Sequence, residues 1–232
     1  MEKMEMQGVC ALQKTVQQPF SPIIGPKSRT LILGTMASPK SRENGFYYGH
    51  PKNRFWPVLA AVFSREMQAL SASAPTDGIL QPQAAQQKSG GARPGADAGG
   101  LAAAAAERVQ PAAVFTGVPK TQSQREALLL SNGLALWDVL AACDITGASD
   151  ASIRNPVPND IASLVRRYPI ERVFTTGQTA ARLYRRLVEA ETGLPCTALP
   201  SPSPANCRVP FDALVEAYGV LRPEPARDTA RI

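Results

Sequence analysis

Eight residues of this chain, FYYGHPKN, gather three aromatic rings (Phe46, Tyr47 and Tyr48), the only histidine, His50, and a carboxamide, Asn53. A ring nitrogen and a carboxamide can donate to a carbonyl or hold a water, and aromatic rings can stack on a flat heterocycle. Just upstream, Gly34, Thr35, Met36 and Ala37 form a glycine-containing turn that offers backbone amides and carbonyls. Near the other end, LPSPSPAN at 199–206 joins proline stiffness to the hydroxyls of Ser201 and Ser203 and the amide of Asn206. A stiff turn of this kind, Pro204 and Ala205 included, can contact phosphates without bulk. The same residues equally describe a plain proline-rich connection. Taken together, these groups suit a flat, polar, neutral ring better than a phosphate.

Several other chemistries lack their residues. There is no G-x-x-x-x-G-K-S/T loop and no G-x-G-x-x-G turn, so the usual nucleotide phosphate cradles are absent. No Ser or Cys stands in a G-x-S-x-G context, and a Ser-His-Asp triad would have to use His50. The four cysteines, Cys10, Cys143, Cys196 and Cys207, include no C-x-x-C pair. With a single histidine, they support neither a disulfide framework nor a zinc or iron–sulfur site. The expectation is chemistry without a metal or cofactor.

Rigid elements must hold these loops. Residues 29–34 read as a strand whose Leu-Ile-Leu run suggests burial on both faces, as in a parallel sheet. Residues 54–67 read as a helix, with Phe55, Val58, Leu59, Val62 and Phe63 recurring at three- and four-residue steps and Pro57 in the first turn. A second helix at 121–132 ends at Gly133, and a second strand follows at 134–139. Residues 143–158 read as a long polar loop. Asn159 or Asp160 caps a helix running to 167, a third strand spans 172–176, and a helix spans 178–190. A fourth strand at 196–199 and a last helix at 210–221 complete the pattern. Alternating strands and helices imply an α/β fold with a central, mostly parallel four-stranded sheet and helices on both faces. The loops after the four strands then share one edge, where open α/β sheets bind ligands.

The 232 residues allow one such domain at 29–222. Before it lies an irregular segment at 1–28, interrupted by Pro19, Pro22 and Pro26, and after it a polar tail at 223–232. Residues 72–113 are rich in Ala, Gly, Gln and Pro and read as a mostly disordered insertion, within which deletion of 74–112 is expected to leave activity intact. Within it Lys88, Arg93 and Arg108 cancel Asp77, Asp97 and Glu107, so the net charge of +6 sits on the parts that fold. That excess suits a polyanionic partner, although a basic protein with no nucleic-acid role fits it as well. No run of eighteen apolar residues crosses a membrane, and the N-terminus carries acids where a secretory signal is basic. The expectation is a soluble monomer of the cytoplasm, nucleoid-associated in a bacterium or nuclear in a eukaryote.

GTMAS at 34–38, YYGHPKNRFW at 47–56 and LPSPSPAN at 199–206, in this order, resemble the uracil-DNA glycosylase superfamily, and within it the hypoxanthine (deoxyinosine) DNA glycosylase branch. The resemblance covers roughly 29–220, the insertion apart. It implies a three-layer α/β/α fold and excision of a deaminated base (hypoxanthine, uracil or both) from DNA, without metal or cofactor. The target base must leave the stack, which favours damaged or mispaired bases. Backbone groups of Gly34, Thr35, Met36 and Ala37 would read its edge, and Phe46, Tyr47 or Tyr48 would stack on it. Asn53 aligns with the amide proposed as catalytic in this branch. It cannot titrate usefully, but it can hold the attacking water and donate to the base. His50 would donate to a base carbonyl. Ser201, Ser203, Pro204, Ala205 and Asn206 would contact phosphates or the emptied stack, and Ser152 and Asn155 are candidates for the pocket wall.

Structural roles compete at the same positions. Asn53 is a favoured helix N-cap, His50 could be a loop histidine bonded to backbone, and one of the two tyrosines belongs to the core. The chain also departs from the superfamily. No acid or Asn directly follows Gly34, and the last motif has no histidine. Both absences point to a slower branch that depends on stabilising the leaving group. No lysine is placed for lyase chemistry. The alternative function is a non-catalytic DNA- or base-binding module of the same fold.

Overall fold

The computed structural model describes residues 14–72, 117–147 and 149–223. Most of the 72–113 insertion, the first thirteen residues with Cys10, and the tail from 224 lie outside the described residues. In chain order the elements are β1 (Lys14–Gln17), β2 (Thr30–Gly34), α1 (Pro39–Glu43), α2 (Phe55–Ala72), α3 (Gln122–Ser131), β3 (Leu134–Asp138) and β4 (Leu140–Ile145). There follow β5 (Arg154–Pro158), α4 (Ile161–Arg167), β6 (Arg172–Thr176), α5 (Gln178–Leu187), α6 (Glu189–Thr192), β7 (Cys196–Leu199) and α7 (Phe211–Tyr218).

The expected sheet is present. Four parallel strands run in the order β3-β2-β6-β7. Strand side chains alternate between faces, so each strand feeds two cores. Ile32, Leu136 and Phe174 face one core with α2, α3 and α7; Leu31, Leu33 and Val173 face the other with α4 and α5. All five residues of β2 are buried, as a strand covered on both sides requires. This is a three-layer α/β/α arrangement. Its helices stop where local chemistry dictates. Gly133 takes φ +66° just after α3, a left-handed position that glycine adopts without a Cβ clash. The helix expected at 178–190 breaks at Val188 and resumes as α6, and the last helix tightens into a 3₁₀ turn at Gly219–Leu221.

A second sheet was not expected. β1, β4 and β5 form an antiparallel trio in the order β1-β4-β5. β1 lies in the segment read as irregular, and half of β4 with all of β5 lies in the stretch read as a polar loop. β5 carries Pro156 and Pro158 and is mostly exposed, which only an edge strand tolerates. One residue, Val139, separates β3 in the first sheet from β4 in the second.

At the start of α3, Thr121 accepts from Gln124 N, and the Gln124 side chain returns a bond to Thr121 N. Thr121→Ala is therefore expected to cost about 1 kcal/mol. Urea titration would show this as a lowered midpoint at unchanged slope, and an unmoved midpoint would mean that the cap contributes nothing.

Candidate active site

A cavity of about 740 Å³ opens at the carboxyl ends of β2, β3, β6 and β7. All four loops expected at that edge line it. Of the residues singled out from the sequence, Gly34, Thr35, Met36, Ala37, Tyr47, Tyr48, His50, Asn53, Ser201, Ser203, Pro204, Ala205 and Asn206 line this one space.

Asn53 serves the helix and faces the cavity at once. Its Oδ1 accepts from Phe55 N at 2.9 Å, which fixes the start of α2 as the cap reading expected. The Nδ2 end is then the part of the amide left to donate. His50 is locked in a similar way. Its Nδ1 accepts from Lys52 N at 3.0 Å, which leaves Nε2 to carry the ring proton as a donor. The next residue, Arg54, ties this loop to the proline-rich turn. Arg54 N donates to Pro202 O at 3.1 Å, and its guanidinium donates to Asn206 O at 2.7 Å and Val209 O at 2.6 Å. Within the turn, the Asn206 amide donates to Ser201 O at 2.8 Å, so it braces the loop. Ser201 Oγ and Ser203 Oγ accept from backbone N–H groups two residues on, leaving their own protons to donate outward.

The three aromatic rings separate. Phe46 stacks on Trp56 at 5.8 Å beneath the Arg125 guanidinium. It lines a different, smaller cavity of about 410 Å³ and not the main one, so the expected stacking of a base on Phe46 finds no support. Tyr47 is 2% exposed, its hydroxyl donates to Ser21 O at 3.0 Å, and its own carbonyl accepts from Trp56 Nε1. It belongs mainly to the core. Tyr48 has φ +52°, a conformation that costs a non-glycine residue about 1 kcal/mol or more. That turn lays its ring on Phe55 at 3.9 Å and brings its hydroxyl to Thr176 Oγ1 at 2.9 Å, on the cavity wall. Burial first, then the Asp138 carboxyl, hold the Tyr48 phenol well above its ordinary value.

Ser152 and Asn155 do not line the cavity. The Ser152 hydroxyl closes a turn on Thr146 N, and Asn155 donates to Asp144 Oδ2 at 2.7 Å. Their neighbour Asp150 does line it, accepting from Thr35 Oγ1 at 3.0 Å. Burial raises the Asp150 carboxyl.

The residue that sequence reasoning missed is Asp138. It ends β3 directly opposite Gly34, is 3% exposed and reaches the cavity. Gln18 Nε2 donates to its Oδ2. Burial pushes the carboxyl up to about 7, Asp150 adds to the rise, and the Gln18 bond opposes it. A Cβ at Gly34 would overlap Asp138 Oδ1 and stand 3.0 Å from the Tyr48 hydroxyl. Glycine is required there because a carboxyl and a phenol already fill the space. The available signal was an acid closing an apolar strand, LALWD, at the sheet's binding edge.

A solution NMR structure from Methanosarcina acetivorans, described as a candidate uracil DNA glycosylase, superposes with a TM-score of 0.57 at 21% identity over 90% of this chain and 98% of its own. The expected fold is borne out. In sequence, the chain is 21% identical over 207 residues to a hypoxanthine DNA glycosylase of Methanosarcina acetivorans, covering 89% of this chain and 99% of that protein. It is 34% identical over 55 residues to the hypoxanthine DNA glycosylase of Methanosarcina barkeri, a match that spans 24% of this chain and 35% of that protein. The resemblance read from the motifs therefore extends to curated relatives that carry that name. No family model matches the chain. Among the described residues, no three His, Cys, Asp or Glu side chains cluster as metal ligands would, and no helix is long and apolar enough to cross a membrane.

Proposed function

We propose that this protein is a monofunctional DNA glycosylase that removes a deaminated base from DNA as a monomer and leaves an abasic site. The observation that carries the reading is the single cavity shared by the glycine turn, the His50–Asn53 loop and the proline-rich turn. Its relatives' names support the same chemistry.

In this reading the extruded base enters beside Gly34, Thr35, Met36 and Ala37, whose backbone groups meet its edge, with Tyr48 against its ring. Cleavage of the glycosidic bond builds positive charge on the sugar and negative charge on the base. The Nε2 proton of His50 donates to a base carbonyl. The Asn53 Nδ2 group, aligned by the bond its Oδ1 makes to Phe55 N, holds the attacking water or donates to the departing base. The Ser201 and Ser203 hydroxyls donate to phosphates beside the extruded nucleotide.

The test uses oligonucleotides carrying one deoxyinosine or one deoxyuridine, cleaved by alkali after incubation. Wild type should cut at least one of them, and Asn53→Ala should cut at least about tenfold more slowly, or about 1.4 kcal/mol. The alanine variant should also lose about 1 kcal/mol of stability with the cap. Asn53→Ser, whose hydroxyl can still accept from Phe55 N, should regain the stability and not the rate. Full activity in the serine variant would reduce Asn53 to a helix cap. Salt-dependent DNA binding by a wild type that cuts neither base would favour the non-catalytic module.

A further inference from the structure

We infer that Asp138 is the general acid of this site, handing its carboxyl proton to N7 of an extruded purine. This inference rests on the glycosylase reading and names the group that protonates the departing base.

Geometry comes first. Asp138 ends β3 beside Gly34, within the wall formed by the backbone groups proposed to read the base. Two carboxyls, Asp138 and Asp150, face that one space. Their side-chain partners are the neutral Gln18 amide and the Thr35 hydroxyl, and neither joins a salt bridge among the described residues. The other ionisable groups around Asp138 are Tyr47 and Tyr48, and His50 lines the same cavity. Asp138 is buried with no cation to offset its charge, and Asp150, a more exposed carboxyl on the same wall, adds to the cost of ionising it, so Asp138 holds its proton up to about 7.

Such an acid is ill suited to uracil. That pyrimidine leaves as an anion, with no ring nitrogen that accepts a proton before the bond breaks, and an ionised carboxylate beside it would repel it. Hypoxanthine presents the N7 and O6 acceptors that guanine also carries. The step balances. The N7 lone pair takes the Asp138 proton. The C1′–N9 bond breaks with its electron pair going to the ring, and hypoxanthine departs as a neutral N7–H tautomer. Water oxygen bonds to C1′, and the proton it sheds passes to the carboxylate pair, restoring the acid.

The experiment measures single-turnover excision by the wild-type protein from DNA carrying deoxyinosine, 7-deazadeoxyinosine or deoxyuridine, from about pH 5 to about pH 9. Deoxyinosine should be excised with a rate that falls about tenfold per pH unit above the Asp138 titration. The 7-deaza substrate, with carbon where the proton must land, should react at least about a hundredfold more slowly. Asp138→Asn should lose a similar factor and its pH dependence. Excision of 7-deazadeoxyinosine at the deoxyinosine rate, or a flat wild-type profile above neutrality, would overturn the inference while leaving the glycosylase intact. A wild type that leaves deoxyinosine and deoxyuridine untouched would instead sink the glycosylase reading, and this inference with it.

Discussion

Gly34→Ala should abolish excision while leaving the protein folded but weakened. The added methyl has nowhere to go, because it overlaps Asp138 Oδ1 and sits 3.0 Å from the Tyr48 hydroxyl. Neither neighbour is a flexible tip. Asp138 is pinned by Gln18, with its backbone carbonyl accepting from Asn159 Nδ2 at 2.8 Å. The Tyr48 ring is sandwiched between Phe55 and its bond to Thr176. Overpacking of this kind costs about 1–3 kcal/mol. Activity should suffer more than stability, because the two groups displaced are the proposed acid and the ring proposed to meet the base. A loss of at least about a hundredfold in single-turnover rate is expected, with urea unfolding still cooperative. Wild-type activity in Gly34→Ala would mean that Asp138 and Tyr48 can move freely, and that neither aligns the base.

Asp138→Asn should make the protein more stable at neutral and alkaline pH. The folded carboxyl titrates at about 7 against an ordinary 3.8. Between those values the folded state keeps a proton that the unfolded chain has already released. Stability therefore declines as pH rises from about 4 to about 7, and the decline is complete above that window. Asparagine cannot ionise, yet its side-chain oxygen can still accept from Gln18. The variant should match wild type near pH 4 and exceed it near pH 8 by on the order of 4 kcal/mol at most. Asp150, raised in the same direction, shares the titration and blunts the difference. Urea midpoints at the two pH values measure it. Equal midpoints for both proteins at pH 8 would show that Asp138 ionises in the folded state at no cost. In the proposed reading, Asp138 exchanges stability of the fold for its role as the acid.

The parallel sheet was legible because its strands are short apolar runs, three of which end at a glycine or proline. TLILG, LALWD, RVFTT and CTAL all fall in place to within a residue or so. The antiparallel sheet was not legible. β5 alternates prolines with exposed residues and β1 is four residues long, so neither shows the apolar alternation that marks a strand. The loops of the site were legible as loops, but their side chains were not assignable in detail. Three adjacent aromatics look equivalent in sequence. The left-handed backbone at Tyr48 then sends one ring to the cavity while Phe46 packs on Trp56. Asn53 offered two readings, and both hold a place in the geometry because an amide has two ends. Asp138 escaped notice because it lies in a strand, one residue short of the turn where a binding group would be sought.

The bonds from Arg54 to Pro202, Asn206 and Val209 weld the start of α2 to the far turn, so residues about 150 positions apart behave as one lever with Asn53 beside its fulcrum. In the proposed reading, a phosphate held at the serine turn would press on a loop bonded to the residue next to the amide. In the proposed reading, the alignment of the amide belongs to the polymer as much as to the base.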